Sequence, residues 1–189
     1  MDLLRPACLA DVAELNDLIA TSARGLSRFY YTAQQIDALI TQVFGVDTQL
    51  LEDETYYAIE RDRRLVACGG WSYRRTLFGG DQAKTSTDPV LDPASDPARI
   101  RAFFVAPFAA RQGLARRLLT QCEARALQAG FARAELMATL PGVPFYEAAG
   151  YAVLERVSHQ LTRCGPVEFV RMGRVLNGAA QPQSFPHAL

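Results

Sequence analysis

Four residues between positions 111 and 117 have types and spacing suited to binding a phosphate group. Gly113 follows Arg111 and precedes Arg116 and Arg117, at the point where an apolar stretch gives way to a helical pattern. The first amides of a helix lack acceptors within the helix and carry partial positive charge, so they bind anions. A glycine lets a ligand approach the backbone because it has no Cβ. The alternative is that Gly113 only relieves crowding and that the arginines form a solvated face.

A strand and a helix are predicted to position this loop. The run Ile100–Val105 is dense in aromatic and β-branched residues, which is typical of a buried strand, and Pro107 ends it. Apolar residues then repeat at helical spacing; they are Leu114, Leu118, Cys122 and Ala126. Gly130 stands where a glycine commonly follows a helix. This order of strand, loop and helix directs several N–H groups at one spot.

Two sequence motifs resemble the hallmarks of one enzyme family. The stretch VAPFAARQGLARRLL, which begins at Val105, resembles the acetyl-CoA-binding motif of the GCN5-related N-acetyltransferases (GNAT family). The stretch FYEAAGY, Phe145–Tyr151, resembles the second motif of that family, and the order and separation of the two also match. The resemblance implies an α/β fold: a single GNAT-like domain with a mixed, mostly antiparallel twisted sheet flanked by helices.

The resemblance also implies acetyl-CoA as co-substrate, without a metal. The backbone of Phe103, Phe104 and Val105 is expected to pair with the pantetheine arm as an added strand would. A backbone amide near Val105 is expected to polarise the thioester carbonyl. The pyrophosphate is expected to bind the loop and the first helical turn, which comprise Arg111, Gln112, Gly113, Leu114, Ala115 and Arg116.

Tyr146 occupies the tyrosine position of the second motif. By resemblance, its hydroxyl hydrogen-bonds or protonates the departing CoA sulfur. A thiol with a pKa near ~8.5 accepts a proton readily from a nearby phenol as charge builds on the sulfur. The alternative is an aromatic residue that only packs a short predicted helix, Pro144–Ala149, onto the sheet.

Glu135 is the candidate general base. Some members of the resembled family carry a glutamate on the strand after the cofactor-binding helix, and Glu135 is placed similarly, whereas Arg99 stands where other members have their glutamate. A carboxylate near the centre of the sheet accepts an ammonium proton directly or through water. The alternative is a solvated strand charge paired with Arg133 or Arg156, and both interpretations stay open.

One domain is expected over residues 1–176, because a chain of 189 residues is long enough for a single full core. Strands at Thr55–Glu60 and Leu65–Trp71, separated by a charged turn, predict a β-hairpin. The connection Gly25–Tyr31 between two predicted helices is unusually aromatic; it either covers the core or forms a wall of the acceptor pocket.

Two segments are predicted to lack regular structure. Residues 74–98 are rich in Gly, Asp, Pro, Ser and Thr and interrupt the expected hairpin into the strand Ile100–Val105. A mobile surface insertion is the expectation for them, and a substrate-covering flap is the alternative. Residues 177–189 are small, polar and proline-containing, which predicts a flexible C-terminal tail.

The amino-acid composition limits which kinds of molecule the protein is expected to bind. The 20 basic residues balance the 20 acidic ones, so no global attraction to nucleic acid or to anionic membranes is expected. No apolar run reaches the length of a bilayer span. The scattered cysteines are interpreted as reduced, buried thiols of a cytoplasmic protein; they are Cys8, Cys68, Cys122 and Cys164. Neither they nor the isolated His159 and His187 indicate a metal site.

The resulting hypothesis is an acetyl-CoA-dependent N-acetyltransferase that acts on a primary amine of a small molecule by direct attack in a ternary complex. Two alternatives stay open: acetylation of a protein or peptide N-terminus, and a non-catalytic acyl-CoA-binding sensor. A homodimer is a possible assembly. The acceptor itself is not readable from the sequence, because acceptor pockets are built from loops without a transferable motif.

Overall fold

The computed structural model describes residues 2–84 and 88–176, so the predicted tail at 177–189 lies outside the described residues. The strands are β1 (Leu3–Pro6), β2 (Tyr56–Arg61), β3 (Arg64–Ser72), β4 (Ala98–Val105), β5 (Arg133–Thr139), β6 (Ala152–Leu161) and β7 (Gly165–Val175). The helices are α1 (Val12–Leu26), α2 (Ala33–Gln42), α3 (Thr48–Glu52), α4 (Leu114–Gln128) and α5 (Val143–Ala148). Within these ranges no helix is long and apolar enough to cross a membrane.

The strands form one seven-stranded mixed sheet in the order β1-β2-β3-β4-β5-β7-β6. All neighbouring pairs are antiparallel except β4 and β5, which are parallel. That parallel pairing extends only from Ala98–Ile100 on β4 to Ala134–Leu136 on β5. Beyond Ile100 the two strands no longer pair, which leaves a cleft in the middle of the sheet. The predicted fold class and the predicted hairpin of β2 and β3 are confirmed.

A β-bulge in β4 directs its side chains. The register with β3 shifts between Cys68 and Gly70, and opposite this shift Ala102 has a φ of 54°. The Tyr56 hydroxyl donates a hydrogen bond of 3.0 Å to the Ala102 carbonyl and supports this conformation. A bulge changes the direction of the residues that follow it. Here it precedes Phe103, Phe104 and Val105, whose backbone the family resemblance predicts to pair with the pantetheine arm.

Helices cover both faces of the sheet. The predicted apolar stripe of α4 is buried, and Gly130 follows that helix with a φ of 92°, as expected of a residue after a helix C-terminus. Tyr151, just after α5, donates a hydrogen bond to Glu123 of α4, so these two helices share a face. On α2, Thr32 and Gln35 form a capping box, a pattern that is visible in the sequence.

Two local features differ from the predictions. Helix α3 was not predicted. The start of α3 depends on Asp47, whose side chain accepts a hydrogen bond of 3.0 Å from the Gln49 amide. The expectation that all the cysteines are buried is wrong for two of them: Cys8, in the short connection before α1, is exposed, and Cys164, in the turn between β6 and β7, is half-buried.

A buried ion pair attaches the insertion at 74–98 to the sheet. The Arg101 guanidinium donates to Asp47 Oδ2 at 2.9 Å, and both side chains are 1% exposed. The same guanidinium donates to the carbonyls of Thr76 and Gly79 at 3.0 and 2.6 Å. Lys84 pairs with the other oxygen of Asp47. These hydrogen bonds hold the first part of the insertion against β4. The prediction of a mobile surface segment did not anticipate this attachment.

Replacing Arg101 by leucine is expected to lower the free energy of unfolding by about 1–3 kcal/mol, since it leaves buried acceptors without a donor. Asp47 keeps Lys84 as a partner, which limits the loss. Urea unfolding measures the change. The matched control is Arg24→Leu, because the pair of Arg24 with Asp37 is about 60% exposed and is worth at most about 1 kcal/mol. Equal losses in both variants would contradict the assignment of Arg101 as the anchor.

Candidate active site

A cavity of about 800 Å³ opens where β4 and β5 separate. Its walls come from the C-terminal part of α1, the end of α2, residues 77–80, both strands of the cleft, the loop before α4, and α5. Phe103 and Phe104 of β4 point to opposite faces of the sheet. The Phe103 ring lies against Tyr146 of α5, with centroids 6.4 Å apart, whereas the Phe104 ring packs edge-on against Phe44 after α2. The cavity therefore reaches both faces.

Most residues predicted to bind the cofactor line this cavity. They are Phe103, Phe104, Val105, Arg111, Gly113, Leu114, Ala115 and Arg116. Gln112 is not among the lining residues: its side chain accepts a hydrogen bond from Arg61 at 3.0 Å and donates one to the Phe108 carbonyl at 3.1 Å. We name the part of the cavity next to the loop 110–116 and α5 the cofactor groove.

The N-terminus of α4 lacks a side-chain cap. Gly113 stands at the N-cap position with a φ of 83° and an added Cβ would meet nothing within 4 Å, so its backbone conformation rather than crowding favours glycine there. Arg111 also has a positive φ, 64°. Arg116 and Arg117 lie in the first turn, which is unfavourable beside a helix N-terminus unless an anion binds there. This arrangement suits a pyrophosphate.

The two arginines of that turn point in different directions. Arg116 lines the cofactor groove, donates a hydrogen bond of 2.9 Å to the Ala148 carbonyl, and lies over the Phe145 ring at 5.8 Å. Arg117 instead donates to the Asp2 carbonyl at 3.0 Å. Of the three arginines of this loop and turn, Arg111 and Arg116 are therefore placed to contact a ligand in the groove, and Arg117 is not.

The edge of β4 that faces the cleft has one amide already bonded. The Val105 N–H donates to the Ser22 hydroxyl of α1 at 3.1 Å, while the next amide, that of Ala106, donates to the Val66 carbonyl of β3. Backbone groups alternate between the two edges of a strand, so Phe103 presents its groups on the same edge as Val105. A ligand strand on this edge would therefore meet the backbone groups of Phe103, and at Val105 it would meet an amide that is already bonded to Ser22.

Tyr146 is buried but reaches the cavity. It lines the cofactor groove, and its ring contacts Phe103, Phe145 and Tyr151. No described residue forms a hydrogen bond with its hydroxyl, whereas the hydroxyl of the neighbouring Tyr151 donates to Glu123. Burial raises the pKa of Tyr146, so the phenol stays protonated at neutral pH. It is therefore available as a hydrogen-bond donor.

Glu135 lies in an ion-pair network at the closed end of the cleft. Its Oε2 accepts a hydrogen bond of 2.9 Å from Arg99, its partner in the parallel pairing, and lies 3.7 Å from Arg171 of β7. It is not among the residues that line the cavity. The ion partners are Arg99 and Arg171, not Arg133 or Arg156 as the sequence suggested. Its role as a base stays a prediction, and its position favours the alternative of a paired strand charge.

The substitution Glu135→Gln decides between these roles. We expect turnover to fall by no more than about threefold, which is under ~1 kcal/mol of barrier, because a paired carboxylate outside the cavity does not reach the amine. The acidic limb of the pH–rate profile is expected to shift with the pKa of the amine used and to be the same in both proteins. A large loss of rate together with loss of that limb would instead identify Glu135 as the base.

The other part of the cavity lies on the α1 and α2 side of the sheet, and we name it the acceptor compartment. Its lining residues are mostly apolar and include Ser22, Ala23, Leu26, Ser27, Tyr30, Val43, Phe44, Leu77, Phe78, Met137, Thr139 and Phe169. Phe78 of the insertion packs against Phe169 with ring centroids 5.6 Å apart. Residues 77–80 thus form a wall of the cavity, which favours the flap interpretation of the insertion over a surface segment.

The aromatic segment Gly25–Tyr31, whose first two residues belong to α1, covers the core and also contributes to the cavity wall, while its role toward an acceptor stays a prediction. Tyr31 is buried; its hydroxyl accepts a hydrogen bond from the Leu140 amide at 3.0 Å and donates one to the Glu168 carbonyl at 2.8 Å. Burial raises the pKa of Tyr31 to about 12. Tyr30 lines the acceptor compartment, whereas Phe29 is 83% exposed and does not.

Sequence reasoning missed Ser22 and Arg101. Each had a visible signal, since Ser22 is a polar residue in the apolar stripe of α1 and Arg101 is a charge inside the apolar run Ile100–Val105. A polar residue at a core position indicates a specific partner. Among the residues that the structure describes, no group of three or more His, Cys, Asp or Glu side chains is placed to hold a metal ion.

Solved structures with the same fold are numerous. A GCN5-related N-acetyltransferase from Rhodopseudomonas palustris superposes with a TM-score of 0.68 at 16% identity, covering 93% of this chain and 96% of that one. PaiA N-acetyltransferase from Thermoplasma acidophilum, solved in complex with coenzyme A, has a TM-score of 0.64 at 12% identity over 93% and 99% of the chains. YncA from Salmonella typhimurium, solved with acetyl-CoA, has a TM-score of 0.57 at 14% identity over 97% and 99%.

An acyl-CoA-dependent acetyltransferase is the class of enzyme that this fold and cleft define. The family model for the acetyltransferase (GNAT) family matches residues 15–151, which is most of the chain. The chain therefore belongs to the GNAT family of N-acetyltransferases. Among curated protein sequences, none matches it.

Proposed function

We propose that this enzyme transfers the acetyl group of acetyl-CoA to the primary amine of a small molecule by direct attack in a ternary complex. The observation that carries the proposal is the continuous cavity, which joins the cofactor groove on one face of the sheet to the acceptor compartment on the other. A thioester held along β4 and an amine entering from the α1 and α2 side would meet at the cleft.

Direct attack of the amine on the thioester is supported by the kinds of side chain that line the cavity. The residues that line the cavity in the described ranges include no Cys, His, Lys, Asp or Glu. Hydroxyl groups are present, but a hydroxyl needs an adjacent base to act as a nucleophile. An acetyl-enzyme intermediate therefore has no activated residue on which to form.

The chain's own groups supply positioning and electrostatic help. Phe103 and Val105 offer backbone groups to the pantetheine arm and the thioester carbonyl, and the N-terminus of α4 with Arg111 and Arg116 suits the pyrophosphate. Gln112 contributes through its backbone, since its side chain is engaged elsewhere. The Tyr146 hydroxyl donates to the departing sulfur. The Tyr146 hydroxyl in the cofactor groove also argues against a non-catalytic sensor, because a protein that only binds acyl-CoA does not need a hydrogen-bond donor for a departing thiolate.

A small acceptor is favoured over a peptide by the wall at residues 77–80. That segment is fixed to β4 through Arg101 and closes the acceptor compartment on one side, where a peptide would need a through-going groove. Release of free CoA thiol from acetyl-CoA across a panel of small amines and of peptides with free N-termini tests the proposal. We expect amine-dependent release with small amines; release with peptides alone, or with no acceptor in the panel, would overturn it.

A further inference from the structure

The acceptor compartment offers no free charge to its ligand. Apart from Arg101, its polar lining side chains are neutral hydroxyls, those of Ser22, Ser27 and Tyr30 and that of Thr139, which shares a face of β5 with Met137; the other side chains are aliphatic or aromatic. No carboxylate lines it in the described ranges. Residues 85–87 and 177–189 contain no Asp or Glu either, so no acidic side chain can come from those segments.

Among the described lining residues, the arginine on this side of the cavity is already engaged. Arg101 lines the cavity, but its guanidinium is 1% exposed and donates to Asp47, Thr76 and Gly79. Binding a ligand carboxylate would require these hydrogen bonds to break. The arginines that remain accessible, Arg111 and Arg116, belong to the cofactor groove. Neither a second ammonium nor a carboxylate of an acceptor therefore has a counter-charge in the compartment.

We infer that the acceptor is a primary amine carried on an uncharged, apolar aliphatic or aromatic group. This inference rests on the proposed function and narrows its substrate class: it excludes polyamines, aminoglycoside-like polycations and amino acids. An apolar group gains from leaving water for this wall. A charged group buried there without a partner loses its hydration and gains nothing in return.

The same wall determines the state of the reacting amine. With no carboxylate to hold an ammonium ion and with arginines in the adjoining groove, the neutral amine is favoured over the charged one. Attack of the nitrogen lone pair on the thioester carbon forms the C–N bond and breaks the C–S bond. The extra proton on nitrogen passes to water, and the thiolate is protonated with the help of Tyr146. Each acetyl transfer thus releases one CoA thiol.

Three probes of equal chain length and with the same reacting amine test the inference. Hexylamine ends in a methyl group, hexamethylenediamine in a second ammonium, and ε-aminocaproate in a carboxylate. We expect kcat/KM for hexylamine to exceed that for either charged probe by about 100-fold or more. Charged probes used as well as hexylamine, or no use of any of the three while acetyl-CoA binds, would overturn the inference.

A pair of variants tests whether the wall sets this preference. Tyr30→Glu places a carboxylate in the compartment and is expected to raise the use of hexamethylenediamine relative to hexylamine by about fivefold. Phe29→Glu adds the same charge at the neighbouring, exposed position outside the compartment and is expected to change the ratio little. Equal changes in both variants would overturn the inference.

The thermal shift with acetyl-CoA separates this inference from the proposed function. A rise in melting temperature with acetyl-CoA but no preference for the apolar probe refutes only the substrate class. No rise with acetyl-CoA at all refutes the proposed function, and the inference with it.

Discussion

Gly113→Glu is expected to abolish the rise in melting temperature that acetyl-CoA produces. The wild-type protein gains about 2.7 kcal/mol at a ligand concentration of about 100 times Kd. In the variant, a negative side chain stands at the uncapped N-terminus of α4, where the pyrophosphate is expected, and competes for the same amides. Differential scanning fluorimetry over a range of acetyl-CoA concentrations measures the loss.

A matched glycine separates this effect from backbone strain. Gly165 at the start of β7 also has a positive φ, 74°, and an added Cβ there also meets nothing within 4 Å. Gly165→Glu therefore carries the same kind of strain and charge but lies outside the cavity lining. Both variants are expected to melt earlier without ligand, and only Gly113→Glu is expected to lose the response to acetyl-CoA. A normal response in Gly113→Glu would contradict the assignment of this loop.

Tyr146→Phe is expected to lower kcat by about 100-fold, within the range of about 10²–10⁴ typical of general acid catalysis. Only the hydroxyl is removed, and the ring still packs against Phe103, Phe145 and Tyr151, so the affinity for acetyl-CoA is expected to stay the same. Steady-state kinetics with thiol detection measure kcat, and thermal shift measures the affinity. Activity within about threefold of the wild type, which is under ~1 kcal/mol of barrier, would make Tyr146 a packing residue.

The control for this variant is Tyr151→Phe. The two rings are 5.8 Å apart, but the Tyr151 hydroxyl is bonded to Glu123, which also pairs with Arg174. Removing that hydroxyl is expected to lower stability slightly and to leave kcat nearly unchanged. If kcat falls in Tyr146→Phe and not in Tyr151→Phe, the loss is due to the missing hydrogen bond from the Tyr146 hydroxyl to the departing sulfur.

The motif-bearing part of the fold was predictable because local rules determine it. The apolar run Ile100–Val105, the helical stripe that begins at Leu114, and the glycine after the helix each obey a period or a backbone requirement that is visible in the sequence. The capping box of Thr32 and Gln35 is another such local signal. The apolar run and the helical stripe thus predicted the strand and the helix that flank one part of the cavity.

The acceptor side was not predictable because it depends on contacts between distant segments. Arg101 bonds to Asp47 and to the insertion. The Ser22 hydroxyl of α1 accepts a hydrogen bond from the Val105 amide of β4, and Glu135 pairs with Arg99 because β5 lies beside β4. No spacing rule links such positions, since their proximity follows from the tertiary fold. The insertion was predicted to be a mobile surface segment because its composition is typical of a loop. Its role as a wall of the cavity depends on contacts with Arg101 and Phe169, which are distant in the sequence.

The central claim is that the cleft between β4 and β5 brings acetyl-CoA and an amine together for direct transfer. Its most direct test is to follow free CoA and N-acetylhexylamine together by mass spectrometry, with Gly113→Glu in parallel. We predict that the two products appear in equal amounts, that neither accumulates without the amine, and that the variant produces neither. Thiol release that does not depend on the amine, or acetyl groups found on the protein instead of on the amine, would contradict the claim.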